Sequence, residues 1–178
     1  VTIMRMEEGL DTGPMCKVGR IAITPMTTAQ SLHDELAALG SQLMIEVLAQ
    51  ETITCTPQPS DGVTYAKKID KAEARIDWQH DAIDIARRVR AFRPWPIAET
   101  SQRGEQVRIH EAVVIGDAEA GRAAGTVPGT LLGLRADRLL VACGRDCLGI
   151  GVLQRSGRRS VTAREFANTA GALTESFQ

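Results

Sequence analysis

Gly9-Leu10-Asp11-Thr12-Gly13 is the stretch with the most chemical content, a carboxylate held between two glycines. A carboxylate on such a loop can orient an imidazole, fix its tautomer and stabilise its cation. The same spacing also describes an ordinary turn, so the residues alone leave both readings open. The chain has three histidines, His33, His80 and His110, and none has a nucleophile at an informative spacing. Each is therefore read as structural or exposed. A second group is basic: Lys67, Lys68, Lys71, Arg87, Arg88, Arg90 and Arg93 could neutralise phosphates, or could be solvated surface charge. The four cysteines, Cys16, Cys55, Cys143 and Cys147, lack zinc-knuckle spacing. They are read as buried or idle thiols, and no metal is expected.

These residues need elements to position them. Val1–Met6 alternates like a strand, Glu7–Pro14 is a loop, and Met15–Ile23 reads as a second strand. Thr27 or Thr28 can cap a helix running to about Ala49, with Leu32, Leu36, Leu39, Leu43 and Val47 on its buried face. Two short strands are too few to cover that stripe. It is expected to stay bare or to drive self-association. Thr56–Gly62 reads as a proline-stiffened linker.

From Ala72 to Pro96 the pattern implies a hinge helix between two different units. Asp77 would cap it near Trp78, and Ile83, Ala86, Val89 and Phe92 would form its buried stripe. Pro94-Trp95-Pro96 ends it, and Trp78 and Trp95 are read as packing anchors. Gln106–Ile115, Gly129–Leu134, Arg138–Ala142 and Cys147–Gln154 are candidate strands. Thr162 and Glu165 form a capping box for a short last helix. Short strands with regular turns suggest a small closed barrel.

A length of 178 residues allows one moderate core or two small ones. The net charge of −1 is unevenly spread. Val1–Thr56 holds three basic and seven acidic residues; Pro57–Gln178 holds eighteen and fifteen. That asymmetry favours a polyanion-facing second half. No apolar run reaches the roughly 20 residues of a membrane span, and no signal peptide opens the chain. The chain opens on Val1, in what reads as a strand, which implies a start inside a longer protein.

IMRMEEGLDTGPM, SLHDELAALG, VTYAKKI, ARIDW, RAFRPWP, GTLLGL and LGIGVLQRSGRRSVTAREF occur in order. With that set the chain resembles the second half of the methionyl-tRNA formyltransferase family. The resemblance implies an α/β remnant of a Rossmann-like catalytic domain over 1–56, a linker over 57–75 and an OB-like β-barrel with flanking helices over 76–178. It implies formyl transfer from 10-formyltetrahydrofolate to the methionyl amine of initiator tRNA, in the cytoplasm, by a monomeric enzyme without a metal. Of the family's catalytic Asn, His and Asp, Asp11 alone has a counterpart, the others being expected upstream of Val1. Glu7, Glu8, Gly9 and Leu10 would edge the folate pocket, and Lys68 and Lys71 match linker lysines that face tRNA; Lys67, Arg87, Arg88, Arg90 and Arg93 are expected to join them as tRNA contacts on their charge alone. The chain by itself is then expected to be inactive and limited to tRNA contact. The alternatives are a free-standing nucleic-acid-binding barrel, or the formyltransferase part of another folate-dependent enzyme. Three positions depart from the family pattern: Glu7, Ile97 after the PWP run, and Arg145-Asp146-Cys147 at a hairpin.

Overall fold

Alternation at the amino end produces a hairpin of β1 (Thr2–Met4) and β2 (Met15–Val18). The strands are antiparallel, with Thr2 opposite Val18 and a register shift between Ile3 and Met4. The computed structural model describes residues 1–169, 173 and 175–178. It divides into two units, Val1–Lys68 and Ile69–Gln178.

In the first unit, helix α1 (Ala29–Leu48) starts at Thr28, whose hydroxyl accepts from the Ser31 amide at 3.1 Å while Ser31 Oγ accepts from the Thr28 amide at 3.1 Å. Both bonds satisfy amides that a helix start otherwise leaves orphaned. Leu43 and Val47 bury against the hairpin, and Leu32, Leu36 and Leu39 are half-buried. The stripe expected to be bare is thus covered in part by two strands. Close approach explains this: a Cβ at Gly19 would lie 2.8 Å from Leu43 Cδ1, so the chain passes directly under the helix there. The bare apolar surface is a different one, Met44, Ile45 and Leu48.

The reading of four free thiols is also corrected. Cys16 and Cys55 form a disulfide. Met15 and Thr56 make an antiparallel bridge, exchanging backbone bonds of 2.7 and 2.8 Å. Their neighbours Cys16 and Cys55 then face each other with Cα atoms 4.0 Å apart. Pairing of residues so distant in sequence leaves no local signature.

The second unit begins with a 3-10 turn (Lys71–Ala74) capped by Asp70, followed by α2 (Ala82–Ala91). Then come β3 (Ala98–Gln102), β4 (Glu105–Ile115), α3 (Asp117–Ala120), β5 (Leu131–Arg135), β6 (Arg138–Ala142), β7 (Cys147–Arg155), β8 (Val161–Thr162) and α4 (Ala163–Ala167). The sheet runs β3-β4-β7-β6-β5, with β8 also on β7, and all pairs are antiparallel. Arg103-Gly104 (φ 55° and 73°) joins β3 to β4, and Ala136-Asp137 (φ 45° and 60°) joins β5 to β6. Two-residue hairpins require such positive φ values. The carboxyl end bridges the sheet's two sides. Gln178 exchanges backbone bonds of 2.9 and 3.1 Å with Ser101 of β3, and the Phe177 amide donates to the Gly129 carbonyl at 2.9 Å.

The core gathers Trp78, Ile85, Val89, Ile109, Leu139, Ile150, Leu153, Phe166 and Phe177. Ala72–Pro96 therefore belongs inside the second unit and is not a hinge between units. Asp77 caps only a turn, accepting from the Gln79 amide at 2.9 Å, and the helix begins four residues later at Asp81. The helix buries Ala82, Ile85, Ala86, Val89 and Phe92 and leaves Ile83 39% exposed, so Ile83 is not part of the stripe. Trp78 is a core anchor, but Trp95 is 55% exposed. Ile97 takes φ 69°, a conformation that costs a β-branched residue roughly 1–2 kcal/mol. The hairpin that includes Arg145-Asp146-Cys147 has a four-residue loop, Cys143–Asp146, in which Asp146 supplies the positive φ. Among the described residues no helix is long and apolar enough to cross a membrane, and no group of His, Cys, Asp and Glu gathers to hold a metal.

Candidate functional site

The loop between β1 and β2 is closed by the Arg5 amide, which donates to the Pro14 carbonyl at 3.0 Å. Gly13 is buried beneath that closure, and a Cβ there would sit 1.7 Å from the Arg5 carbonyl oxygen. Only glycine fits. Asp11 lies in the loop with φ 55°, a region that Asp tolerates better than most residues. Its backbone is pinned from the far end of the unit: Gln58 Nε2 donates to the Asp11 carbonyl at 2.7 Å and to the Gly13 carbonyl at 2.8 Å. The Asp11 side chain is exposed, and its carboxylate has no hydrogen-bond or ion-pair partner among the described residues. The backbone is set, and the carboxylate is available to a group that approaches it.

Glu7, Glu8, Gly9 and Leu10 line the same loop and are exposed, Leu10 at 89%. His33 is exposed on α1 in this unit and has no bond to Asp11. In the second unit His80 Nδ1 lies 3.5 Å from Asp77 Oδ2, and His110 Nε2 lies 3.0 Å from Gln154 Oε1. Both histidines are occupied locally.

The basic residues are divided between the two units. Lys67 and Lys68 end the first unit as exposed residues outside any helix or strand, and Lys71 opens the 3-10 turn of the second. Arg87 is paired with Asp84 at 3.1 Å, whereas Arg88 is exposed without a partner among the described residues. Arg90 Nη1 donates to the Ala86 carbonyl at 3.2 Å, and Arg93 Nη1 reaches the His110 carbonyl at 3.4 Å. On a helix Arg88 and Arg90 point about 200° apart, so one phosphate row cannot meet both.

The structure adds a groove of about 790 Å³ lined by Arg103, Glu105, Arg155, Arg158, Arg159, Glu165 and Phe166. Arg155 lies 4.5 Å over the Phe166 ring and binds Glu105 at 2.9 Å and Gln102 at 3.0 Å. Arg159 binds Glu165 at 2.8 Å, and the Thr162 amide together with Arg159 holds that carboxyl down to about 2. Three of the groove's four guanidinium groups are ion-paired, Arg103 with Glu175 at 3.2 Å, Arg155 with Glu105 and Arg159 with Glu165. Arg155-Ser156-Gly157-Arg158-Arg159 was its signal in the sequence, but only the fold brings Arg103 beside that run.

A family model described as "Formyl transferase, C-terminal domain" matches residues 68–171. The chain belongs to the formyltransferase family. A second model, "Formyl transferase", matches residues 1–48 and so includes the Asp11 loop. The methionyl-tRNA formyltransferase of Stenotrophomonas maltophilia (strain K279a) is 47% identical over 172 residues, covering 94% of this chain and 54% of that protein. That of Xanthomonas axonopodis pv. citri (strain 306) is 46% identical with the same coverage. The chain spans about half the length of the curated relatives it matches. Among solved structures, HypX from Aquifex aeolicus in complex with tetrahydrofolic acid has a TM-score of 0.68 at 17% identity, over 98% of this chain and 30% of that one. At that identity the likeness concerns the fold.

Proposed function

We propose that these residues are the carboxyl-terminal part of a methionyl-tRNA formyltransferase, a cytoplasmic enzyme of translation initiation. The observation that carries this is an identity of 45–47% to such enzymes across 94% of the chain, including the loop in which Asp11 stands pinned with a free carboxylate. In this reading the methionyl amine attacks the formyl carbon of 10-formyltetrahydrofolate, and hydrogen-bond donors hold the oxyanion. A histidine manages the proton. Asp11 fixes that histidine and stabilises its charged form; the histidine and an asparagine are supplied outside these residues. Glu7, Glu8, Gly9 and Leu10 edge the folate site. The linker expected over 57–75 is narrowed to the stretch between Gln58, which holds the Asp11 loop, and the Lys71–Ala74 turn that opens the second unit, the OB-like barrel following over 76–178. The test joins these 178 residues to the amino-terminal half of a relative and measures formylation of methionyl-tRNA. A hybrid that binds both substrates but transfers nothing would refute the reading.

The same reading gives tRNA contact to Lys67, Lys68, Lys71, Arg87, Arg88, Arg90 and Arg93, with Arg88 and Arg90 meeting different phosphate rows. Lys68 and Lys71 are exposed, and Arg88 is unpaired among the described residues, which supports it. Each phosphate contact contributes about one unit to the slope of log affinity against log salt. Lys68→Ala with Lys71→Ala is therefore expected to weaken tRNA binding and lower that slope by about 2. Thermal unfolding of the second unit should not change. An unaltered affinity at low salt would remove the linker from the tRNA surface.

The complete enzyme is read as a monomer, while the 178-residue chain alone is expected to self-associate. Met44, Ile45 and Leu48, at 44%, 69% and 68% exposure, form the bare apolar patch that motivates this. Light scattering coupled to size-exclusion chromatography checks it. A monomer at all accessible concentrations would count against the expectation.

A further inference from the structure

The cysteines divide into two kinds. Cys143 and Cys147 are fully buried free thiols, and burial pushes them up to about 12 and about 11. They stay protonated and unreactive. Cys16 and Cys55 are half-buried, within reach of a small thiol. Their bond joins β2 to the segment that ends the first unit's fold, enclosing all of α1 across a separation of 39 residues.

What else holds that segment is slight. Thr56 shares two backbone bonds with Met15, and Thr56 Oγ1 adds a long contact of 3.4 Å to the Met15 carbonyl. Two residues on, Gln58 grips the carbonyls of Asp11 and Gly13. The disulfide therefore lies one residue from the bridge and three residues from the side chain that sets the Asp11 loop. In a reducing cytoplasm such bonds are transient and serve as sensors more often than as permanent staples.

We propose that Cys16 and Cys55 are a thiol–disulfide modification site that latches residues 55–58, and through Gln58 the Asp11 loop. The oxidant is a low-molecular-weight disulfide such as oxidised glutathione. One cysteine thiolate attacks it, forming a mixed disulfide and expelling one small thiolate. The second cysteine attacks the protein sulfur of that mixed disulfide and expels the other. The pair loses two electrons, the small disulfide gains them, and the two protons leave on two small thiols. Reduction reverses the steps and slackens Gln58's hold. The reading of the bond as reversible rests on the cytoplasmic location proposed above, and any consequence for catalysis rests on the function proposed for Asp11; the geometry of the latch rests on neither.

The test equilibrates the full chain with oxidised or with reduced glutathione. It then combines native-state iodoacetamide labelling with amide exchange. Labelling at Cys16 and Cys55 is expected only in the reduced sample, with Cys143 and Cys147 untouched in both. Reduction should speed exchange of the Met15 and Thr56 amides at least tenfold and shift the Thr12 amide resonance, which follows the Asp11 carbonyl. Amides of α1 and of β3 to β7 should keep their protection. Gln58→Ala should shift the Thr12 resonance with the disulfide intact. Labelling that ignores the redox treatment would overturn the proposal. So would unchanged exchange at Met15 and Thr56, or collapse of α1 on reduction, which would make the bond a structural staple. None of these readouts involves formyl transfer, so their failure leaves the proposed activity standing.

Discussion

Asp11→Asn is expected to lower formyl transfer by about 10⁴-fold in an enzyme assembled from these residues and an amino-terminal half, by analogy with the orienting carboxylate of other triads. The substitution keeps size and loop geometry, because Gln58 holds the loop through the Asp11 and Gly13 carbonyls and does not touch the side chain. It removes the charge that favours an imidazolium and replaces an acceptor-only group with one that can also donate, so the imidazole tautomer is no longer selected. Affinity for tRNA should be unchanged, since the basic residues offered to phosphates lie elsewhere in the sequence. The loss should therefore fall on kcat and leave KM nearly as it was. Rapid-quench formylation with wild-type and variant enzyme checks this. A variant within tenfold of wild type would take Asp11 out of the chemistry.

Phe177→Ala is expected to cost the second unit about 3–5 kcal/mol. Phe177 is 3% exposed and stacks on Trp78 with ring centroids 5.7 Å apart, while Phe166 meets it edge-on at 6.4 Å. The ring also holds a polar chain in register. Trp78 Nε1 donates to Thr100 Oγ1 at 3.0 Å, and that hydroxyl donates to the Gln178 carbonyl at 2.8 Å. Both tryptophans, Trp78 and Trp95, lie in this unit, so guanidinium unfolding followed by tryptophan fluorescence reports on it alone. A loss below about 1 kcal/mol would mean that the carboxyl end does not anchor the sheet.

Local signals in the sequence were legible wherever the chemistry is local. Thr28 before α1 and the Thr162/Glu165 box before α4 act through neighbours three residues away, and both stand as read. The bounds of β6 coincide with the expected Arg138–Ala142. Asp77 misled because a capping residue also stabilises a turn, and the helix it seemed to open starts at Asp81, whose carboxylate is committed to Arg145. Strand β3, Ala-Glu-Thr-Ser-Gln, has little β propensity and was not expected. It is a strand because tertiary partners satisfy it: buried Gln102 donates to the Glu175 carbonyl at 3.0 Å and accepts from Arg155 at 3.0 Å. The Asp11 loop could be singled out from its glycines. Its fastening by Gln58 and by the Cys16–Cys55 bond could not, since both join residues about forty or more positions apart.

The proposed function requires an added amino-terminal half before these residues can transfer a formyl group. The direct measurement is formylation of methionyl-tRNA by the purified 178-residue chain, with 10-formyltetrahydrofolate, alone and beside an added amino-terminal half. The expected result is no transfer above background from the chain alone and clear transfer from the pair. Turnover by the unaccompanied chain at the rate of a complete enzyme would contradict it.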